Sequence, residues 1–412
     1  MSFTQKEYQE LINQLFEKHK SVQSAGFSAD SFKPGLEKMR LFDKFLGRPS
    51  KKFESIHVAG TNGKGSVSHM LAAALSSKQK VGLYTSPHLV DFRERVRCIG
   101  PRGNSMIPQK DVYDFLKTYS TTIDNLGLSF FEITTGLAFW WFAKEKIDLA
   151  IIETGLGGRL DSTNIISPRL SIITSIGLDH CDILGSTRAA IAREKAGIFK
   201  DGAPALVSTR DEETAPVFEA AASKAGSRLY YADAMKMPQQ LPSLDLRGDY
   251  QSANLRLVLV ALSLLAYAAD TARLSRTAAL TGLRGRWEKL RTKPEVICDI
   301  GHNPPALKLN FAQLESMMAG GKYDKLLIVY GVMADKALDD IIPLMPADAE
   351  YFFCAPATDR ALPATEIRRR IGSGEAFDSV SAALAAALSS ATPNSLIYIG
   401  GSTFVVAEAI YR

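Results

Sequence analysis

The sequence predicts an α/β protein with two doubly wound sheets, a larger one first and a smaller one after it. Three observations carry this. Short apolar, β-branched runs (FESIHV, IDLAIIET and LSIITSIG, then EVICDIGHN, KLLIVYGV and SLIYIGGS) alternate with segments of helical periodicity. The runs are as apolar as strands buried on both faces, and they deliver polar residues at their C-terminal ends. Around LRGRWEKLRTKPE the chain turns basic and loses its periodicity, as a linker would. The expected organisation is therefore residues 1–283, a linker at 284–294, and residues 295–412.

At 412 residues, 46% hydrophobic and 23% charged, the chain is long for one core, so two domains are expected. A net charge of +5 suits anionic small molecules. Without a concentrated Lys/Arg stripe it does not indicate nucleic acid. Cys98, Cys181, Cys298 and Cys354 stand far apart with no CxxC pair, which argues against a disulfide framework or a zinc knuckle and fits a reducing compartment. The first segment, MSFTQKEYQELINQLFEKH, reads as a mixed-charge amphipathic helix with no apolar signal core, and no run reaches membrane-spanning length. A cytoplasmic protein without a membrane partner is expected.

The stretch HVAGTNGKGS, residues 57–66, organises the first domain. It lies between a strand-like run and the helical SVSHMLAAALSS. Gly60, Gly63 and Gly65 permit a tight turn that aims N–H groups at one point beside a helix start, a nest for phosphate. Lys64 would supply charge to the terminal phosphates, and Ser66 a hydroxyl for magnesium. The general GxxxxGK[ST] pattern fails because Gly65 intervenes, which leaves a plain glycine turn with a solvated lysine as the other reading. The strand-to-helix context favours a phosphate loop. The first domain is thus expected to be of P-loop ATPase type and the second Rossmann-like.

Taken in order, residues 4–19 and a segment after Pro34 and Gly35 read as helices. KVGLYTSPHL is a strand ending near Ser86, and FRERVRCIG a basic extension. Residues 110–123 and 130–145 are helices, the second (FFEITTGLAFWWFAK) almost wholly apolar and so buried. Glu153 follows IDLAII at the sheet's carboxyl edge, where a carboxylate either holds a hard cation or is simply solvated. ETGLGGRLDSTN has the look of a dinucleotide turn but has Leu160 where the third glycine belongs, and no helix follows, which argues against a dehydrogenase. His180 follows LSIITSIG. Asp182 and Gly185 match the DxxG of GTPases, yet no NKxD occurs. TRAAIAREKAGI is a helix closing at Gly197 whose Lys195 is either functional or half of a surface ion pair. Further helices are expected at 213–225, 251–268 and 275–282. In the second domain Asp299, His302 and Asn303 follow a strand, with Asn303 placed to cap the helix starting at Pro304.

In this order, GTNGKGS, TSPHL with ERVR, FFEITT, ETGLGGRLDSTN, SIGLDH, REKAGI and DIGHNP resemble the folylpolyglutamate synthase and dihydrofolate synthase family of the Mur ligase superfamily. The resemblance covers nearly the whole chain, is densest over residues 53–200, and includes the same extra glycine in the phosphate loop. It implies the Mur ligase architecture. It also implies that Gly63, Lys64, Gly65 and Ser66 bind ATP phosphates, that Ser86, Glu153 and His180 hold magnesium, with two ions in all, and that Lys195 is carbamylated. Asn254, Arg286 and Asp299 match ATP contacts, and His302 joins Lys64 and Lys195 as a catalytic residue. The pterin end would meet Phe32, Lys33 and Pro34, then Phe130, Phe131 and Glu132, then Leu160, Asp161 and Ser162. Three departures stand out. LRGR replaces PGR, so that Arg284 competes with Arg286; Gly301 stands where relatives often have Ala; and GGSTFVVAE matches only loosely.

The activity implied is ATP-dependent amide formation. A substrate carboxylate is phosphorylated, and the amine of L-glutamate then displaces phosphate, with the second domain bringing Asp299 and His302 to the nucleotide. The expected partners are dihydropteroate, folates and L-glutamate, with no nucleic acid and a monomeric enzyme. An enzyme confined to polyglutamylation, another Mur-type ligase, and a non-catalytic ATP-binding switch are the other readings.

Overall fold

The computed structural model describes residues 3–20, 26, 35–237, 241–336 and 338–411; Phe32, Lys33 and Pro34 lie outside them. The chain forms two compact units, Met1–Asp245 with Ser252–Gly282, and Leu246–Gln251 with Leu283–Arg412.

The first unit contains α1 (Gln5–Lys18), α2 (Glu37–Phe45), β1 (Glu54–Ala59), α3 (Lys64–Leu75), β2 (Val81–Tyr84), β3 (Val96–Gly100) and β4 (Gly103–Met106). It continues with α4 (Gln109–Leu126), α5 (Phe130–Lys144), β5 (Leu149–Glu153), β6 (Leu170–Ile173) and α6 (Arg188–Ala196). It closes with β7 (Ala205–Val207), α7 (Ala215–Ala225), β8 (Leu229–Tyr231) and most of α8 (Gln251–Leu264). The strands form one eight-stranded sheet in the order β4-β3-β2-β5-β1-β6-β7-β8. From β2 to β8 neighbouring strands run parallel, while β3 and β4 add an antiparallel edge. The basic segment FRERVRCIG thus becomes a 3₁₀ turn, Phe92–Arg95, and strand β3.

Chain order reverses around β1, because β2 is built on one side of it with β5 inserted between them, and β6 is added on the other. Ligands of open α/β sheets bind outside the carboxyl ends of strands at such a reversal. The glycine loop after β1, Ser86 after β2, Glu153 ending β5 and the segment after β6 therefore come from four adjacent strands.

Helix α5 is buried on nearly all sides, as its composition requires. Phe53 meets Phe139 and Phe142 edge-on, with ring centroids 5.7 and 5.8 Å away. Phe42 of α2, fully buried, packs closely against Gly136.

The second unit contains β9 (Glu288–Thr292), β10 (Glu295–Cys298), α9 (Pro304–Ala319), β11 (Leu326–Tyr330), β12 (Glu350–Cys354), α10 (Ala364–Ile371), β13 (Glu375–Phe377), α11 (Val380–Ser390), β14 (Leu396–Gly400) and α12 (Thr403–Ile410). Its sheet order is β13-β12-β11-β14-β10-β9, parallel except for β9. Two expectations need correction here. Residues 288–292, inside the expected linker, form edge strand β9, because antiparallel pairing with β10 needs backbone groups and leaves the charged side chains in water. The helix expected between β11 and β12 is reduced to the turns Leu338–Ile341 and Ile342–Leu344, where Pro343 removes an N–H donor.

The packing at Gly136 yields a signed prediction. In an open helix Gly136→Ala would gain about 1 kcal/mol of propensity. Here the new Cβ would lie 2.3 Å from Phe42 Cε1. Overpacking of roughly 1–3 kcal/mol should win, so denaturant unfolding is expected to show a less stable protein.

Candidate active site

The glycine loop is built by strand β1, every residue of which after Glu54 is buried, feeding into α3. Two glycines make the turn. Gly60 has φ 155°, and a Cβ there would lie 1.9 Å from Thr174 Oγ1. Gly63 caps α3 with φ 86°, and a Cβ there would meet Asn254 Oδ1 at 2.5 Å. Asn254, the expected nucleotide contact on α8, therefore lies against the loop. Gly65 needs no such freedom, because it sits within the first turn of α3. The segment after β6 ties the loop down. Thr61 N donates to Ser175 O (2.8 Å), Asn62 N to Ser175 Oγ (3.0 Å), and Thr174 Oγ1 to Asn62 O (2.6 Å). The first N–H groups of α3 have no partners within their own helix, as an anion site requires.

Two lysine amines converge on one carbonyl of this loop. Lys64 Nζ donates to Gly60 O (3.0 Å) and Thr61 O (3.1 Å), and Lys195 Nζ donates to Gly60 O (2.8 Å). Lys195 is buried and, among the described residues, pairs with no surface carboxylate; its neighbour Glu194 is taken by Arg159 at 2.9 Å. Burial first, then the Lys64 ammonium, pull the Lys195 amine from its ordinary 10.5 down to about 7, while Asp179 and Asp161 pull the other way.

Register places Glu153 beside Val58, at the mouth of the loop. Its buried carboxylate accepts a hydrogen bond from Ser86 N (3.3 Å). His180 has left-handed backbone, φ 54°, and starts a short helix, with Nε2 3.7 Å from Asp179 Oδ2. Among the described residues no three His, Cys, Asp or Glu side chains form a cation cage. A cation bound through one carboxylate and one hydroxyl, its shell completed by phosphate oxygens and water, is the usual manner of magnesium, and Ser86 with Glu153 supplies those two donors.

The residues expected to meet the pterin divide sharply. Phe130 is a core residue, stacked on Phe16 at 5.0 Å and covered by the Arg95 guanidinium at 5.2 Å from its ring centre. Glu132 is buried, and its Oε2 turns back to accept Ser129 N (2.7 Å) and Ser129 Oγ (2.8 Å) in the capping box of α5. Packing thus claims the ring, and the helix start claims the carboxylate. Phe131, partly exposed, lies directly over Gly155, where a Cβ would sit 2.5 Å from its ring. It remains the aromatic surface beside Glu153, with half-buried Leu160. Asp161 is engaged in its own loop. Its Oδ2 accepts Gly155 N and Leu156 N (both 2.9 Å), and its Oδ1 accepts Thr163 N (3.0 Å) and Thr163 Oγ1 (2.5 Å). Ser162 is buried in the following 3₁₀ turn.

In the second unit Asp299 is likewise saturated. It accepts Tyr250 Oη (2.6 Å), Trp287 N (2.9 Å), Gly301 N (2.8 Å) and Asn310 Nδ2 (2.8 Å), so it organises the turn expected to contact ATP instead of presenting a free carboxylate. Of the competing arginines, Arg284 is paired with Glu288 at 2.5 Å. Among the described residues Arg286 makes only long contacts, with the carbonyls of Arg284 and Gly285 at 3.5 and 3.4 Å. His302 Nδ1 lies 3.0 Å from Ile300 O, and Asn303 caps α9 as expected, accepting from Ala306 N. The sequence reading assigned no role to His57, Thr163 or Tyr250. A histidine inside the apolar run ESIHVA was the visible signal for the first.

Comparison with known proteins gives the family. Residues 58–259 match the Mur ligase middle domain, and residues 285–403 match the Mur ligase glutamate ligase domain. The dihydrofolate synthase/folylpolyglutamate synthase of Escherichia coli K12 is 32% identical over 91% of this chain and 90% of its own length. A probable bifunctional folylpolyglutamate synthase/dihydropteroate synthase of Haloferax volcanii is 32% identical over 98% of this chain, which spans only 50% of that protein. Among solved structures, E. coli FolC in complex with DHPP and ADP superposes with a TM-score of 0.84 at 29% identity, covering 98% of this chain and 96% of that one. The Yersinia pestis bifunctional enzyme complexed with AMPPNP and Mn ion gives 0.84 at 26% identity, covering 97% of each. The chain belongs to the Mur ligase superfamily, in its dihydrofolate synthase and folylpolyglutamate synthase branch.

Proposed function

We propose that the chain is an ATP-dependent ligase that joins L-glutamate to dihydropteroate and to folates through an acyl phosphate. One observation carries the reading furthest. At the carboxyl ends of adjacent strands, a helix-capping glycine loop with two lysine amines stands beside the buried carboxylate of Glu153. The E. coli relative named for both activities supports the choice of substrates.

In the first step a substrate carboxylate oxygen attacks the γ-phosphorus of ATP, the bond to the β–γ bridging oxygen breaks, and ADP leaves. The α-amine of glutamate then attacks the acyl carbon, gives up a proton, and phosphate departs. The chain's part is to position and to neutralise charge. Lys64 exchanges the carbonyls of Gly60 and Thr61 for phosphate oxygens, and the N–H groups opening α3 hold the phosphates with Gly63, Gly65 and Ser66. Asn254, and Arg286 from the second unit, hold the nucleotide. Ser86, Glu153 and His180 hold magnesium, which when bound spreads the charge of the phosphates. Phe131 packs against the substrate's flat ring. Lys195, amine-like near neutrality, takes up CO2 with release of a proton and becomes a carbamate that accepts hydrogen bonds. Reduced folates, ATP and cysteines that are all unpaired suit the cytoplasm, and the enzyme works as a monomer.

The deciding experiment supplies purified protein with ATP, magnesium and glutamate, and with either dihydropteroate or tetrahydrofolate. One ADP per amide formed is expected with both. Because Glu132 is committed to its helix cap, a polyglutamylase is the second reading, and it stands if tetrahydrofolate alone is extended. ADP release with neither substrate sinks the ligase reading.

For Lys195 the sign of the pH effect follows from its amine. The neutral form dominates above about 7 and the ammonium below it. Carbamate should therefore form above that pH and fade below it, and activity should fall with it in acid. A carbamate carbon signal in protein equilibrated with ¹³C-bicarbonate, absent from Lys195→Arg, checks this.

Arg286→Gln should raise the KM for ATP roughly 10- to 100-fold, the size of a lost charged hydrogen bond. Arg284→Gln, whose guanidinium is held by Glu288, should change it little in the same assay.

A further inference from the structure

We infer that His57 is a positioning residue: through Thr163 and Asp161 it locks the turn that follows Glu153 onto the strand that carries the phosphate loop. The inference rests on the ligase reading above for the role of Glu153, and on hydrogen bonds alone for the linkage.

His57 is fully buried in the middle of β1, beside Ile152 of β5 and Ser171 of β6. Its Nε2 lies 2.8 Å from Thr163 Oγ1. The threonine hydroxyl has one proton, and Asp161 Oδ1, 2.5 Å away and already a carboxylate acceptor for Thr163 N, takes it. Thr163 Oγ1 must then accept from His57, which fixes the imidazole as the neutral Nε2–H tautomer. Burial drives the ring the same way, holding its pKa near 3, with Lys200 adding to the effect. Donors and acceptors thus run in one direction, His57 Nε2–H to Thr163 Oγ1–H to Asp161. Chains of this kind strengthen each member.

The far end of the chain reaches the site. The other oxygen of Asp161 holds Gly155 N and Leu156 N, one and two residues after Thr154, whose own N–H is paired with Val58 O of β1 at 2.9 Å. Glu153 is therefore clamped from behind by two routes that both start on β1. The same loop is stitched to the helix of Lys195. A Cβ on Gly158 would lie 2.7 Å from Lys195 O, and Asn164 Nδ2 donates to Gly197 O at 2.9 Å.

Packing alone does not account for the histidine. Its Nδ1 is buried without a hydrogen-bond partner among the described residues, a condition that an apolar side chain would avoid. Groups hydrogen-bonded to a metal's ligands change metal affinity by roughly 10- to 100-fold when removed; the imidazole acts on Glu153 at a further remove, through Thr163, Asp161 and the backbone of Gly155 and Leu156, so an effect at the lower end of that range is expected.

The test separates linkage from stability. In the ligand-free protein, ¹⁵N spectra of labelled histidine should show His57 as the Nε2–H tautomer, unchanged between pH 5 and 8. Thr163→Val removes the relay at nearly constant shape. It should weaken binding of Mn²⁺ in the presence of AMPPNP about 10-fold or more, while AMPPNP binding without metal stays as in the wild type. Thr163→Ser, which keeps the hydroxyl, should restore the metal affinity. His57→Gln, which keeps a side-chain N–H donor, should lose less than His57→Leu. An Nδ1–H tautomer, or unchanged Mn²⁺ affinity in a folded Thr163→Val protein, overturns the inference and leaves the ligase reading standing. A wild-type protein that binds no Mn²⁺ with AMPPNP overturns both, whatever the tautomer.

Discussion

The carbonyl of Gly60 accepts hydrogen bonds from two lysine amines, and the candidate site of this protein depends on that one acceptor. Burial first, and then repulsion by the Lys64 ammonium, draws the buried amine of Lys195 toward neutrality. The carbonyl can face both only because the chain leaves β1 at a backbone angle open to glycine, in a space already filled by Thr174. Thr174 is there because β6 pairs with β1 in parallel and its continuation hydrogen-bonds along the loop. A parallel sheet with its order reversal at β1 is therefore the precondition for an amine such as Lys195 to lie, desolvated, against a phosphate loop.

A second constraint explains which carboxylates remain for chemistry. Buried carboxylates need several donors, and the cheapest donors are backbone N–H groups that turns and helix starts leave unpaired. Glu132 is taken by the start of α5, Asp161 by the 155–163 loop, and Asp299 by the turn around Trp287 and Gly301. Glu153 differs in kind. It ends a strand whose own N–H groups are already paired in the sheet, and its carboxylate accepts a hydrogen bond from Ser86 N at the end of the neighbouring strand. A carboxylate delivered by a parallel strand stands at the sheet's carboxyl edge, where ligands of open α/β sheets bind, whereas one in a loop or first helical turn closes that local turn.

This difference marks how far the sequence could be read. The order of strands and helices, the glycine loop, the strand-end position of Glu153 and the cap at Asn303 were legible, because periodicity and local capping chemistry are properties of neighbouring residues. The commitments of Glu132 and Phe130 were half legible. SFFE carries a Ser at the cap and a Glu three residues on, a capping box in plain sight, but the resemblance drew attention to the ligand instead. Strands β4, β8, β9 and β13 are edge strands, and each is too short or too polar to stand out as an apolar run, so backbone pairing with a neighbouring strand defines them. The saturation of Asp299 by Tyr250, Trp287 and Asn310 joins three separate segments and has no local signature at all.

The two arginines near the start of the second unit differ in the partners they are given. Arg284 and Arg286 flank the same glycine, two residues apart. Glu288, four residues beyond Arg284, bonds both the Arg284 guanidinium and Gly285 N, closing a small turn that neutralises the first arginine and fixes the backbone of the second. Trp287, held in left-handed backbone with its N–H on Asp299, sets the direction in which the chain leaves that turn. Arg286 is what remains once every nearby acceptor of full charge has been assigned. A guanidinium left with only neutral carbonyls at 3.4 Å or more gains far more from a phosphate than one already in an ion pair.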